Sequence, residues 1–413
     1  MRNEINEYIK RNWKNTVHPP EELSGKVKID YPYIAPSISG PFTDMYYWDQ
    51  YFTNIGLLID GLSNQAYYNL KNIAKFIDEL GFMPNANTIT DRSQPPFFTL
   101  GVYDYYVFQN DVRVIEEFMP QMLKEYEFWQ TKRMGYYGLN SYGTHGTAEE
   151  IAENYKWLHE RVHESSDIKE EQDVIARDIM AIAEMGLDFN MRFKTENSKI
   201  AAHEFIHLDL NCILFAVENK ISEMLSLIGE EAESEKFMRA AANRKRLINE
   251  YLYDKTRGIY LDYNVVRNRF SSVLSAVSFY PYAFGISEDG NGASAVLKRL
   301  ELEYGVSAGE YRGKDVYFQW DYPCMWPYTT YIVYRALINV GLNNDADRIA
   351  EKYIAAVERN FYETGRIWEK YDASNGQVAK TSEYDTPEMM GWSAAIYRFF
   401  AEREKALKIF RAW

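Results

Sequence analysis

Two cysteines in 413 residues are too few for a disulfide framework, and Cys212 and Cys324 stand far apart in apolar or aromatic surroundings. Buried thiols in a reducing compartment are therefore expected, and with them a cytoplasmic location. No run of about 18 uninterrupted apolar residues occurs, so there is no candidate for a transmembrane helix. Residues 1–16 carry Arg2, Glu4, Glu7, Lys10 and Arg11 and hold no apolar core of signal-peptide length. Positive charge is also short: 46 Lys and Arg stand against 60 Asp and Glu, a formal net charge of −14. Nucleic acid and anionic membranes select clusters of Lys and Arg, so neither is an expected partner, and a neutral small molecule fits better. Pro/Ser/Gly-rich linkers, low-complexity runs and internal repeats are missing too, so 1–413 is expected to form one domain. The sequence leaves the oligomeric state open.

Aromatic residues, by contrast, are abundant at 16%, with 34 Tyr. They cluster with carboxylates in separate short segments: Tyr46-Tyr47-Trp48-Asp49, Gly186-Leu187-Asp188-Phe189, Gln319-Trp320-Asp321-Tyr322-Pro323 and Trp368-Glu369-Lys370-Tyr371-Asp372. Aromatic faces stack on the C–H faces of sugar rings and carboxylates accept from hydroxyls, so this pairing points to one carbohydrate pocket lined from many loops. Between the segments, helical spacing dominates. Apolar residues recur every three or four positions over 115–129, 214–228, 237–252, 349–361 and 392–400. Extended pieces are expected only at 260–266 and near Ile367, and no alternating βα pattern appears, which leaves an all-α scaffold with its function on long connections.

Within these segments each candidate has an ordinary alternative. Asp49 precedes an apolar stretch and reads equally as a helix N-cap or as a carboxylate gripping sugar hydroxyls. The loop holding Asn85, Arg92, Ser93, Gln94 and Pro95 gathers side-chain donors suited to sugar oxygens. Asp188, between Leu187 and Phe189, sits where an apolar setting would keep a carboxyl protonated for general acid work, unless Arg192 pairs with it. Glu369 stands beside Lys370, a cation that would hold it ionised for activating water, or else forms an ordinary surface pair. Two such carboxyls are what glycosidic cleavage needs. His203-Glu204-Phe205-Ile206-His207 spells H-E-x-x-H, which on a helix would place two imidazoles on zinc. The motif has no further zinc-protease landmark, and His18, His145, His159 and His163 form no ligand pattern.

On these residues the chain resembles the trehalases, glycoside hydrolase family 37, from about Pro36 to Ser393. The run Tyr46-Tyr47-Trp48-Asp49-Gln50-Tyr51 is similar to the second half of the first trehalase signature. Gln319-Trp320-Asp321-Tyr322-Pro323 with Trp326 and Pro327 is similar to the second, and Arg92-Ser93-Gln94-Pro95-Pro96 follows the family's wording. The resemblance implies an (α/α)6 barrel and single-displacement, inverting hydrolysis of an α-glucosidic bond, without cofactor or metal. It implies Asp188 as general acid and Glu369 as general base. Trp48, Asp49, Asn85, Arg92, Gln94, Arg192, Trp320, Asp321 and Glu383 fall at substrate-binding positions. Departures bear on the substrate. Ser39-Gly40-Pro41 stands where the first signature has Gly-Gly-Arg, the glycine-rich lid shrinks to 374–382, and no Arg-Pro-Glu-Ser segment appears near 147–155. A small α-glucoside such as trehalose is the first expectation. A related family 63-like enzyme acting on glucosylglycerate or mannosylglycerate is the second, with a zinc peptidase through His203 and His207 or a non-catalytic sugar binder as further alternatives.

Overall fold

The computed structural model describes residues 2–20, 27–40, 42–195, 199–313, 318–381 and 383–410. Pro41 and Ser382, which belong to two of the segments above, lie outside them. The helices in chain order are α1 (Arg2–Asn12), α2 (Tyr47–Ile59), α3 (Ser63–Leu80), α4 (Phe98–Gln109), α5 (Arg113–Lys132), α6 (Ala148–Leu158), α7 (Lys169–Met185), α8 (Leu208–Leu227), α9 (Glu231–Tyr251), α10 (Tyr280–Ala283), α11 (Gly290–Leu300), α12 (Pro327–Asn339), α13 (Asn343–Thr364), α14 (Gly391–Ala401) and α15 (Arg403–Ile409). All five helical stripes expected from spacing are helices here, α5, α8, α9, α13 and α14.

Six helices close a ring. α2 packs on α4, α4 on α8, α8 on α10, α10 on α12, α12 on α14, and α14 returns to α2. Around it, α3, α5, α9 and α13 lie against the ring helix that precedes each, and α11 and α1 complete the outer layer. The chain is thus an (α/α)6 barrel. Composition follows position. Every residue of α2 is buried, and α14 likewise from Gly391 to Phe400, because a ring helix meets protein on all sides; the outer helices keep one polar face. One continuous apolar core runs from Ile5 to Phe410.

The two ends of the barrel differ. Connections leaving ring helices, 60–62, 110–112, 228–230 and 340–342, are three residues each, whereas those entering them, 81–97, 186–207, 301–326 and 365–390, are long. Short two-residue strands decorate the long connections, including those ahead of α2 and between α9 and α10: β1 (Val17–His18) pairs with β2 (Tyr33–Ile34), β3 (Phe205–Ile206) with β6 (Tyr263–Asn264), β4 (Tyr253–Asp254) with β5 (Ile259–Tyr260), β6 also with β7 (Arg269–Phe270), and β8 (Cys324–Met325) with β9 (Tyr371–Asp372). All pairs are antiparallel. Cys212 and Cys324 are buried and unbridged. Among the described residues no helix is long and apolar enough to cross a membrane.

A buried carboxyl ties ring to outer layer. Tyr47 Oη donates to Glu125 Oε1 at 2.6 Å, and burial raises the Glu125 pKa to about 8. In unfolded chains a glutamate titrates near about 4.3. Between these values the folded protein holds a proton the unfolded chain has released, so this contribution to stability is present at low pH and is lost as pH rises through about 8. Glu125→Gln removes the titration while keeping an acceptor for Tyr47. Its unfolding midpoint relative to wild type is expected to rise between about pH 5.5 and about pH 9; a gap that does not change with pH would contradict the assignment.

Candidate active site

The mouth at the N-terminal ends of the ring helices gathers most of the expected residues. Trp48 and Asp49 lie in the first turn of α2; Asn85, Arg92 and Gln94 enter α4, Asp188 enters α8, Trp320 enters α12 and Glu369 enters α14. All eight line one cavity of about 400 Å³. Helix N-termini carry partial positive charge, which suits a mouth lined with carboxylates. Tyr46 caps α2, so Asp49 is a first-turn residue and not the N-cap.

Packing beneath the mouth fixes these side chains. α7 ends on Gly186 in the left-handed conformation, φ +76°, and a Cβ there would sit 2.6 Å from the Trp48 indole. Only glycine lets the chain turn so tightly against that ring. Trp320 stacks on Trp326 with centroids 3.6 Å apart and planes within 9°, and Trp48 and Trp392 pack about this pair. On the opposite side, Glu184 accepts from Ser93 N at 2.8 Å and pairs with Arg133, pinning the Arg92–Gln94 segment to α7. Gln94 Oε1 accepts from Trp48 N at 3.1 Å, and the Asn85 amide donates to Ala183 and Ser93 carbonyls. Part of each amide is thereby committed to holding the wall.

The two carboxyls sit in different company. Asp188 has a third of its side chain open, at 33%, with Arg161 Nη2 at 3.6 Å. Burial pushes its pKa up, and Arg161 and Arg92 oppose that shift. Glu369 is 3% exposed and takes Lys370 Nζ on Oε2 at 2.6 Å, while Tyr384 Oη donates to Oε1 at 2.9 Å. Here the sequence expectation needs correction. Lys370 is in contact as expected, yet burial outweighs it, and the direction at Glu369 is upward as well. The two sites differ in their partners rather than in the sign of the shift. Asp49 is raised to about 8, by burial and then by the Glu369 charge, so it is a neutral donor near neutral pH.

Three expected substrate contacts are placed elsewhere. Arg192 is 1% exposed, away from the cavity lining, and its guanidinium is bidentate to Asp262 at 2.8 and 2.9 Å with Asp209 beyond at 3.3 Å. It pairs with neither Asp188 nor an open pocket. Asp321 is also behind the lining, accepting from Met191 N and Phe318 N, with burial raising it to about 7. Glu383 likewise stands outside the lining; it accepts from Gln319 N at 2.8 Å and from Arg161 Nη2 at 2.7 Å, and so orients the arginine that faces Asp188. The zinc alternative loses its helix. Residues 202–204 form a 3₁₀ turn running into β3. His203 pairs with Asp178 at 2.7 Å, Glu204 with Arg267 and Asn264, and buried His207 accepts from Tyr142 N. Among the described residues no cluster of His, Cys, Asp and Glu is arranged for a metal.

Arg161, Tyr384, Trp326 and Trp392 also line the cavity and were not among the sequence candidates. A signal for Arg161 existed. Arg161-Val162-His163-Glu164-Ser165 keeps an arginine ahead of a Glu-Ser pair, one residue wider than Arg-Pro-Glu-Ser and downstream of where that segment was sought.

The family model described as Trehalase matches residues 1–403. The chain belongs to the trehalase family. It is accordingly an α-glycoside hydrolase. Among solved structures, the neutral trehalase of Saccharomyces cerevisiae is similar at 21% identity and TM-score 0.73, covering 98% of this chain and 80% of that one. The family 63 mannosylglycerate hydrolase of Thermus thermophilus, solved with Tris and D-glycerate, is similar at 16% identity and TM-score 0.67, covering 97% and 99%. At these identities both likenesses speak for the barrel. In this trehalase-family chain the barrel mouth, the aromatic wall and the paired carboxyls coincide in one cavity.

Proposed function

We propose that this enzyme hydrolyses a small α-glucoside, such as trehalose, with inversion, and that residues 1–413 work as one barrel domain. The observation that carries the reading is that Asp188 and Glu369, 181 positions apart in sequence, open on the same aromatic-walled cavity. Residues of its wall also keep buried polar atoms without partners among the described residues: Arg92 Nε, Arg161 Nε, Gln319 Oε1 and Trp392 Nε1. Buried polar groups are rarely left so, and a polyhydroxyl ligand supplies both donors and acceptors. Asp188, whose pKa burial pushes up, gives its proton to the glycosidic oxygen as the C1–O bond breaks, and Arg161 then steadies the carboxylate. Glu369 takes a proton from water attacking C1 on the opposite face. For water to fit, the carboxyls should stand roughly 6.5–9.5 Å apart.

The second reading, a glycoside with an anionic aglycone such as glucosylglycerate or mannosylglycerate, is favoured by the guanidinium groups of Arg92 and Arg161 in the cavity wall. A panel of small α-glycosides, followed by hexose release and by NMR of the first-formed sugar, separates the two. From trehalose, α- and β-glucose in equal initial amounts are expected, because the attacked glucose inverts to β while the leaving glucose keeps its α configuration. An initial product that is α-glucose alone would reject inversion, and turnover confined to glycerate-bearing substrates would select the second reading.

A further inference from the structure

Two residues beyond Arg161, His163 belongs to the wall of a second and larger cavity of about 480 Å³. Its backbone is left-handed, φ +57°, in the turn that follows α6, and its ring stacks on Phe318. The wall is strongly cationic. Lys194, Arg267, Arg269 and Arg312 line it, and among the described residues no Asp or Glu does. In a chain with 60 acidic and 46 basic residues, four basic side chains around one hollow, with no acidic one in its described lining, is a marked reversal.

Lys194 and Thr195 have binding capacity to spare. Lys194 Nζ has a long hydrogen bond to the Val162 carbonyl at 3.4 Å and lies 5.5 Å over the Phe318 ring. Burial draws its pKa down, and Glu164 and Asp321, which oppose that shift, are not paired with it among the ion pairs of the described residues. An anion arriving beside it would restore what burial removes. Thr195, 8% exposed and also in the wall, has a buried Oγ1 with no partner among the described residues. Arg267 is steadied by Glu204 at 3.2 Å and Arg312 by the Ser272 carbonyl at 3.1 Å, which orders the guanidinium groups. The hollow is far larger than one oxyanion, and Phe205 and Phe270 supply apolar surface for the remainder of a ligand.

From this arrangement we infer that the cavity is a second ligand site, for a small organic phosphomonoester whose oxyanion meets Lys194, Thr195 and Arg267 and whose organic part lies on Phe205 and Phe270. Guanidinium and ammonium donors with a hydroxyl are the usual complement of a phosphate. The site is independent of glycoside cleavage.

Calorimetric titration of the full chain with glucose 6-phosphate and with inorganic phosphate tests this. Glucose 6-phosphate is expected to bind one site saturably, at least about 10-fold more tightly than inorganic phosphate, and to weaken as salt is raised. Lys194→Met and, separately, Thr195→Val should each weaken it about 10-fold or more, with unfolding midpoints near that of wild type. Glu369→Gln should bind it as wild type does, so the site stands whether or not the glycosidase reading does. Absence of saturable binding, or affinity unchanged in both variants, would overturn the inference; equal affinity for inorganic phosphate would remove the organic part of it.

Discussion

Asp188→Asn is expected to lower kcat by about 10²- to 10⁴-fold with folding intact, the usual size for loss of a general acid, and Glu369→Gln should do the same for the base. The two losses differ in kind. Asparagine cannot give up a proton to the leaving oxygen, so substrates with good leaving groups, aryl α-glucosides for example, should recover much of the rate in Asp188→Asn. No leaving group helps Glu369→Gln, where the missing step is proton removal from water. Because burial raises Glu369 despite Lys370 and Tyr384, the acidic limb of the wild-type pH profile should lie above the ordinary glutamate range, and Glu369→Gln should abolish that limb. Near-normal turnover in either variant would reject the assignment.

Arg192→Met is expected to destabilise the fold by about 3–5 kcal/mol, since it leaves Asp209 and Asp262 buried together without their cation. The guanidinium also links three pieces of chain: the segment after α7, the first turn of α8 where Asp209 sits, and Asp262 ahead of β6, which itself accepts from Leu208 N at 2.9 Å. Urea unfolding reads the loss directly. A raised KM with unchanged stability would restore the substrate-binding role that the sequence suggested.

That contrast shows where the sequence was readable. Outer helices α5, α9 and α13 announce themselves by a one-sided apolar stripe, because one face meets water. Among the ring helices, α8 and α14 can still be read from spacing, whereas α2, α4 and α12, enclosed along most of their length, are passed over. The barrel was legible through the resemblance carried by motifs, and those motifs fall at the N-terminal ends of the helices that spacing misses. Asp188, Glu369, Trp48 and Trp320 stand out because carboxylate and aromatic are side by side in the chain. Arg161 does not, since its partners Asp188 and Glu383 are distant in sequence. Arg192 misleads for the opposite reason: its nearness to Asp188 in sequence suggests a pairing, while the fold turns it toward Asp262. His203-Glu204-Phe205-Ile206-His207 spells a helix motif, but β6 takes Phe205 and Ile206 as strand partners, which draws the two imidazoles apart.

The tryptophan wall gives the enzyme an optical signature of its own. Four of its nine tryptophans, Trp48, Trp320, Trp326 and Trp392, surround the cavity, so much of the chain's ultraviolet emission originates where a sugar would rest. Trp320 and Trp326, face to face at 3.6 Å, are close enough for their excited states to couple, which lends the folded protein a near-ultraviolet dichroism that vanishes when the rings part. Occupancy and integrity of the mouth are therefore both visible without a label, including in variants that no longer turn over any substrate.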